Sequence, residues 1–244
     1  MGWIKSYPQV QREYYSNVRG HVGGTAANVD LWQPFSDARD TVSVTRGSDI
    51  QVTARQLNIQ ADARQFSCIE WGPVVSGRVV ALVSDARAPR EWAAFAALIS
   101  DNARVVAIPG DALGVLPQVL ARLGGMLTVV AHGGACDIAL RSEIAVRDRI
   151  SGLVLADFDI GPTVSAVLAE QPLVRTMLLR GRQCARTTHA AAVMLHEALP
   201  GSRLIEPEDC GDWPFGSCPE SCATAVKWFM SQTGSVEYFD LDGT

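Results

Sequence analysis

The chain has 244 residues, 48% of them hydrophobic and 19% charged, and a formal net charge of −5. That balance belongs to a globular protein able to bury a large core, and it excludes a disordered chain. No basic stripe could follow a nucleic-acid backbone, no apolar run reaches the roughly 18 residues of a membrane span, and residues 1–8 lack an apolar leader.

Residues 1–45 mix Tyr7, Tyr14, Tyr15, Trp32 and Phe35 with Gly20, Gly23 and Gly24. They predict an N-terminal arm, packed on the body or on a partner such as a second copy in a homodimer, with the domain proper at 46–244. From residue 50 the pattern becomes regular. Residues 50–54 and 66–71 alternate like half-buried strands, the second closed by Gly72 and Pro73. Residues 78–83 and 104–108 are continuous apolar runs, as expected of strands covered on both faces. Between them, residues 89–100 space Trp92, Phe95, Ala96 and Ile99 along one helical face. A helix is predicted over 116–123, stopped by Gly124 and Gly125. An apolar strand over 127–131 then ends at Gly133 and Gly134, and a helix is predicted over 135–147. Strands are predicted at 150–156, 174–179 and 203–205, with helices at 190–199 and 219–230. Buried strands alternating with helices predict an α/β fold, a mostly parallel central sheet flanked by helices.

The strand, sharp turn and helix at 127–147 share the layout of a nucleophile elbow, G-x-S-x-G, whose five positions here read Ala131, His132, Gly133, Gly134 and Ala135. Residues 149–157 look like the strand after the elbow helix. Residues 178–184 look like the strand and turn that carry a triad acid, and residues 211–215 like the loop that carries a triad histidine. In this order, over about 46–232, the chain resembles the α/β-hydrolase superfamily. The resemblance implies that fold and assigns the triad positions: Gly133 for the nucleophile, Cys184 for the acid, Asp212 for the histidine. None is the usual residue. The turn after the third family strand reads Ser84, Asp85, Ala86, which sets Asp85 near the place where an oxyanion would be stabilised. Serine-based hydrolysis is therefore excluded as the reading. Only residues 159–173 remain for a cap, so the cap is reduced and the pocket open.

Asp212 is the candidate catalytic residue, a proton carrier if apolar surroundings raise its pKa; a solvated loop aspartate is the competing reading. Ser84, Asp85, Ala86, His132, Gly133, Gly134, Phe158, Cys184 and Trp213 are the expected substrate-binding residues. Cys184 has Arg182 and Arg186 nearby, yet a cysteine at a strand end is more often inert packing. Cys136 faces the core, and His132 packs under the turn. His189 and His196 lie on one helical face with no acidic partner evident from spacing. The six cysteines (Cys68, Cys136, Cys184, Cys210, Cys218 and Cys222) are read as reduced thiols in a cytoplasmic protein. The spacing of the last three matches no common zinc knuckle, so no metal and no cofactor are expected.

A scaffold that keeps its elbow and loses its triad predicts a non-hydrolytic enzyme acting by proximity. The theme is similar to hydrolase-fold indolyl transferases of nosiheptide-like pathways, which move an acyl group from a carrier-protein thioester to a peptide thiol. It is also similar to the peptide epimerases of bottromycin pathways. The expected partner is accordingly an acyl- or peptidyl-carrier protein or a modified peptide, in natural-product biosynthesis. A non-catalytic ligand-binding pseudo-hydrolase is the alternative. A buried Asp212 or Asp85 would favour catalysis; the absence of a perturbed group would favour binding.

Overall fold

A computed structural model describes residues 43–46, 50–73, 76–101, 103–158 and 174–233 of the chain. Most of the predicted arm and the predicted cap segment lie outside the described residues. β1 (Ser43–Arg46) and β2 (Ile50–Thr53) form a small antiparallel pair of their own. The main sheet holds β3 (Arg55–Ala61), β4 (Arg64–Trp71), β5 (Arg78–Ser84), β6 (Arg104–Ile108), β7 (Met126–His132), β8 (Ile150–Ala156), β9 (Thr176–Leu179) and β10 (Arg203–Ile205). Its strand order is β10-β9-β8-β7-β5-β6-β4-β3. β4 runs antiparallel to β3 and β6, and the other pairs are parallel.

The period-two pattern of the strands divides the core into two layers. Val79, Ala81 and Val83 of β5 face one cluster, and Val80 and Leu82 face the other. The first cluster is covered by α2 (Leu116–Arg122), α3 (Ala135–Ala145) and α4 (His189–Ala198); the second by α1 (Ala93–Ile99), α5 (Pro214–Ser217) and α6 (Pro219–Thr233). Helices on both faces explain why the central strands read as unbroken apolar runs. The helix expected over 89–100 begins as a 3-10 turn, Pro89–Trp92, before α1.

β3 escaped the sequence reading although Leu57, Ile59 and Ala61 alternate along it. Its turn into β4 is Asp62-Ala63, with both residues at positive φ, 47° and 59°. Two-residue turns of that kind normally announce themselves by glycine, and none is present. A left-handed alanine costs about 1–2 kcal/mol, partly offset by glycine's greater freedom when unfolded. Ala63→Gly is therefore expected to stabilise the protein by about 0.5–1 kcal/mol, seen as a higher urea midpoint. An unchanged midpoint would mean that the turn carries no such strain.

The chain leaves β5 to build β6 on one side of it and returns to build β7 on the other. At such a reversal the connections diverge and a crevice opens at the carboxyl ends of the strands. Ser84 and His132 end the two strands that flank it and pair in register.

Candidate functional site

The elbow forms as its glycines require. Gly133 has φ +68°, and its N–H donates to the Ala156 carbonyl at 3.0 Å. Asp85, one residue beyond β5, reaches over it: the Gly134 N–H donates to Asp85 Oδ1 at 3.1 Å. A Cβ on Gly133 would lie 2.7 Å from Asp85 Oδ1 and 2.8 Å from Arg186 Nη1, and one on Gly134 would lie 2.7 Å from Asp85 Oδ2. The space beside Gly133 is thus flanked by a carboxylate and a guanidinium. The Gly134 N–H at the start of α3 is taken up by a carboxylate of the protein itself. Asp85 and Arg186 are both exposed, and the sequence signal for Arg186 is only its nearness to Cys184.

His132 and Ser84 are buried beneath the turn. His132 Nε2 lies 2.8 Å from the Asp212 backbone carbonyl, which can only accept, so Nε2 carries the proton. Nδ1 then accepts from the Ser84 hydroxyl at 3.2 Å, and Ser84 Oγ in turn accepts from the Ala86 N–H at 3.2 Å. Ser84, His132 and the Asp212 backbone thus stand in line. The hydroxyl is fully buried, and the aspartate offers its neutral carbonyl, which stabilises an imidazolium poorly. Burial lowers the His132 pKa, and the positive charges of Arg186 and Arg87 lower it further. The arrangement fastens β5, β7 and the 212 loop together. Trp213 belongs to the same fastening: its ring meets His132 and Trp92 edge-on at 4.7 Å each, and the Arg87 guanidinium lies over it at 5.2 Å.

Cys184 and Asp212, where the resemblance implies a triad acid and histidine, meet a residue that sequence reasoning did not single out. Cys184 interacts with the carboxylates of both Asp157 and Asp212. Burial, with those two negative charges, pushes its thiol up to about 11, so it stays protonated at neutral pH. Asp212 is exposed, and its Oδ1 accepts from the N–H groups of Ala185 at 2.7 Å and Arg186 at 3.3 Å. The Cys184 thiol and these two donors hold its pKa below the usual carboxylate range. The raised pKa on which its expected role as a proton carrier depended is not found. The carboxyl that is raised is Asp157, pushed up to about 6 by burial, with the Asp212 charge adding to the effect. It is fully buried and has φ +44°. Its Oδ1 accepts from Gly181 N–H at 3.0 Å, and its Oδ2 has no partner among the described residues. The sequence signal for it was an acidic residue closing the otherwise apolar run 150–156. Phe158, expected to line the pocket, packs into the core instead, with its carbonyl taking the Thr187 hydroxyl.

The loops that follow β9 and β10 are held in close contact. Gln183 N–H donates to the Cys210 carbonyl at 2.8 Å, and Arg180 pairs with buried Glu206 at 2.9 Å. Glu206 also holds His189, whose acidic partner the spacing had not revealed. The expectation of six reduced cysteines is corrected: Cys210 and Cys218 form a disulfide around the segment that carries Asp212 and Trp213, while Cys68, Cys136, Cys184 and Cys222 are free. The spacing of the cysteines gave no hint of this, because a tight eight-residue loop pairs them only once folded. A hollow of about 240 Å³ lies by β3, Arg104 and Arg122, and no expected site residue lines it.

No protein-family profile and no curated protein sequence matches the chain. Solved structures do. A CIB-like hydrolase from Thermoplasma acidophilum superposes with a TM-score of 0.65 at 12% identity, over 74% of this chain and 99% of that one. The haloalkane dehalogenase DbeA from Bradyrhizobium elkani gives 0.64 at 10% identity, over 74% and 99%. A thioesterase domain from the curacin biosynthetic pathway gives 0.63 at 10% identity, over 71% and 99%. The chain has the α/β-hydrolase fold.

Proposed function

We propose that the protein uses the α/β-hydrolase cleft to hold a ligand and does not hydrolyse it. The observation that carries this reading is the Asp85 carboxylate on the Gly134 N–H, beside a residue 133 that has no side chain. An oxyanion formed there would meet a fixed negative charge, and acyl transfer passes through the same kind of oxyanion as hydrolysis. The exposed Asp212, its pKa lowered and its carboxylate engaged by backbone donors, supports binding over proton transfer. Arg186 and Asp85 on either side of the glycine gap suit a ligand that is itself polar or charged at the end it presents to the elbow.

The experiment is a calorimetric titration of the protein with a series of short carboxylates, beside a turnover assay with a p-nitrophenyl ester. The parent is expected to show no turnover above buffer. Asp85→Ala is expected to bind carboxylates about tenfold more tightly, because a like charge is removed and a backbone donor is freed. Ester turnover by the parent that Ser84→Ala or Asp212→Asn abolishes would overturn the reading.

A second reading keeps chemistry at the site: transfer of an acyl or indolyl-type group from a carrier-held thioester to a peptide or small acceptor, in natural-product biosynthesis. What favours it is Asp157, a carboxyl near neutrality beside the Cys184 thiol. Epimerisation or cyclisation by proximity, with the base supplied by the substrate, belongs to the same reading. Group transfer requires Asp85 to swing away from Gly134. A pantetheine thioester incubated with a thiol acceptor separates the readings, since acceptor acylation that depends on Asp157 would select the second.

A further inference from the structure

Cys210, Cys218 and Cys222 come together although seven and three residues separate them in the chain. Their three sulfur atoms lie within 4.8 Å of one another. Cys210 and Cys222 are fully buried, and Cys218 is half-buried. Three different pieces of backbone supply them. Cys210 lies in the loop after β10, Cys218 lies between α5 and α6, and Cys222 sits in the first turns of α6. The Cys222 N–H donates to the Cys218 carbonyl at 3.2 Å, which sets both sulfurs at the start of that helix, where negative charge is favoured. With Cys210 and Cys218 joined, Cys222 is a third sulfur that the disulfide does not use.

A tetrahedral zinc ion with sulfur about 2.3 Å away needs thiolates roughly 3.8 Å apart. Cys210 and Cys218 are bonded to each other and separate on reduction, with the Cys222 sulfur within 4.8 Å of both, so the three thiolates surround one point. We propose that, in the reduced protein, Cys210, Cys218 and Cys222 form a site for one thiophilic cation such as Zn²⁺, with water or an incoming thiol as the fourth ligand. The disulfide and the metal are alternative cross-links of the same loop. A dithiol or a phosphine supplies the two electrons that cleave the Cys210–Cys218 bond, and two protons complete the thiols. The cation then binds three thiolates, and their three protons go to solvent. Both cross-links tie down the segment that carries Asp212 and Trp213, so ion binding reports on the redox state of the loop beside the elbow.

The test uses the full chain, reduced with a phosphine and desalted without air, then titrated with Co²⁺ and afterwards with Zn²⁺. A thiolate-to-cobalt charge-transfer band is expected in the near ultraviolet, saturating at one equivalent and erased by Zn²⁺. Protein that has not been reduced should take up no ion. Cys222→Ser and, separately, the less buried Cys218→Ser should each weaken Co²⁺ binding by at least about tenfold. Cys184→Ser should leave it unchanged. Circular dichroism on each variant separates ligand loss from unfolding. Reduced parent protein without the band, or Cys222→Ser and Cys218→Ser binding as the parent does, would overturn the proposal. So would equal uptake by the disulfide form.

Discussion

Gly181→Ala is expected to destabilise the protein by about 3 kcal/mol, the upper range for forcing an atom into packed surroundings. A Cβ at this position would lie 2.3 Å from the Gly211 carbonyl oxygen and 2.5 Å from that of Cys210. Both obstacles are backbone, so no rotamer change relieves the contact. The loops after β9 and β10 would have to part, and with them the Gln183 N–H bond to the Cys210 carbonyl. The Gly181 N–H that steadies Asp157 would shift too, which removes an influence lowering the pKa of that carboxyl. Two measurements check this: the urea midpoint, and the Asp157 titration followed by carboxyl carbon NMR, which should move upward. A midpoint within about 0.5 kcal/mol of the parent would show that the loops are not locked together here.

Asp157→Asn should change how stability depends on pH. A carboxyl held at about 6 in the folded protein binds its proton more tightly than it does unfolded. Between about pH 4 and pH 6 the folded chain therefore carries more proton than the unfolded one, and stability from this group falls as pH rises through that window. The full loss at neutral pH is about 3 kcal/mol. Asparagine keeps an oxygen for the Gly181 N–H and removes the buried charge. Its amide hydrogens need acceptors in turn, so the net gain expected at pH 7 is about 1–2 kcal/mol, with none at pH 4. Denaturant unfolding at pH 4, 5, 6 and 7 reads the difference directly. Identical pH slopes in parent and variant would refute the assignment of the raised carboxyl to Asp157.

The strands and helices were legible because periodicity and chain order carry them. β6, β8 and β10 occupy the spans expected from their apolar runs. The twin glycines announced the elbow, since a left-handed backbone at Gly133 is what that turn requires. The resemblance in phrase order pointed to the α/β-hydrolase fold, which the solved structures share. Hairpin β3–β4 stayed hidden because its turn adopts positive φ with aspartate and alanine instead of glycine.

What the chain order alone determined is the scaffold and the left-handed glycine turn after β7. What only the tertiary structure decided is the electrostatic state of each group there. Asp157 and Asp212 are both aspartates in loops after strands, yet burial raises one and backbone donors lower the other. Asp85, 49 positions from Gly134, fills a backbone donor that sequence spacing cannot connect to it. Desolvation and hydrogen bonding depend on which distant segments close over a side chain, and that information exists only once the sheet has brought them together.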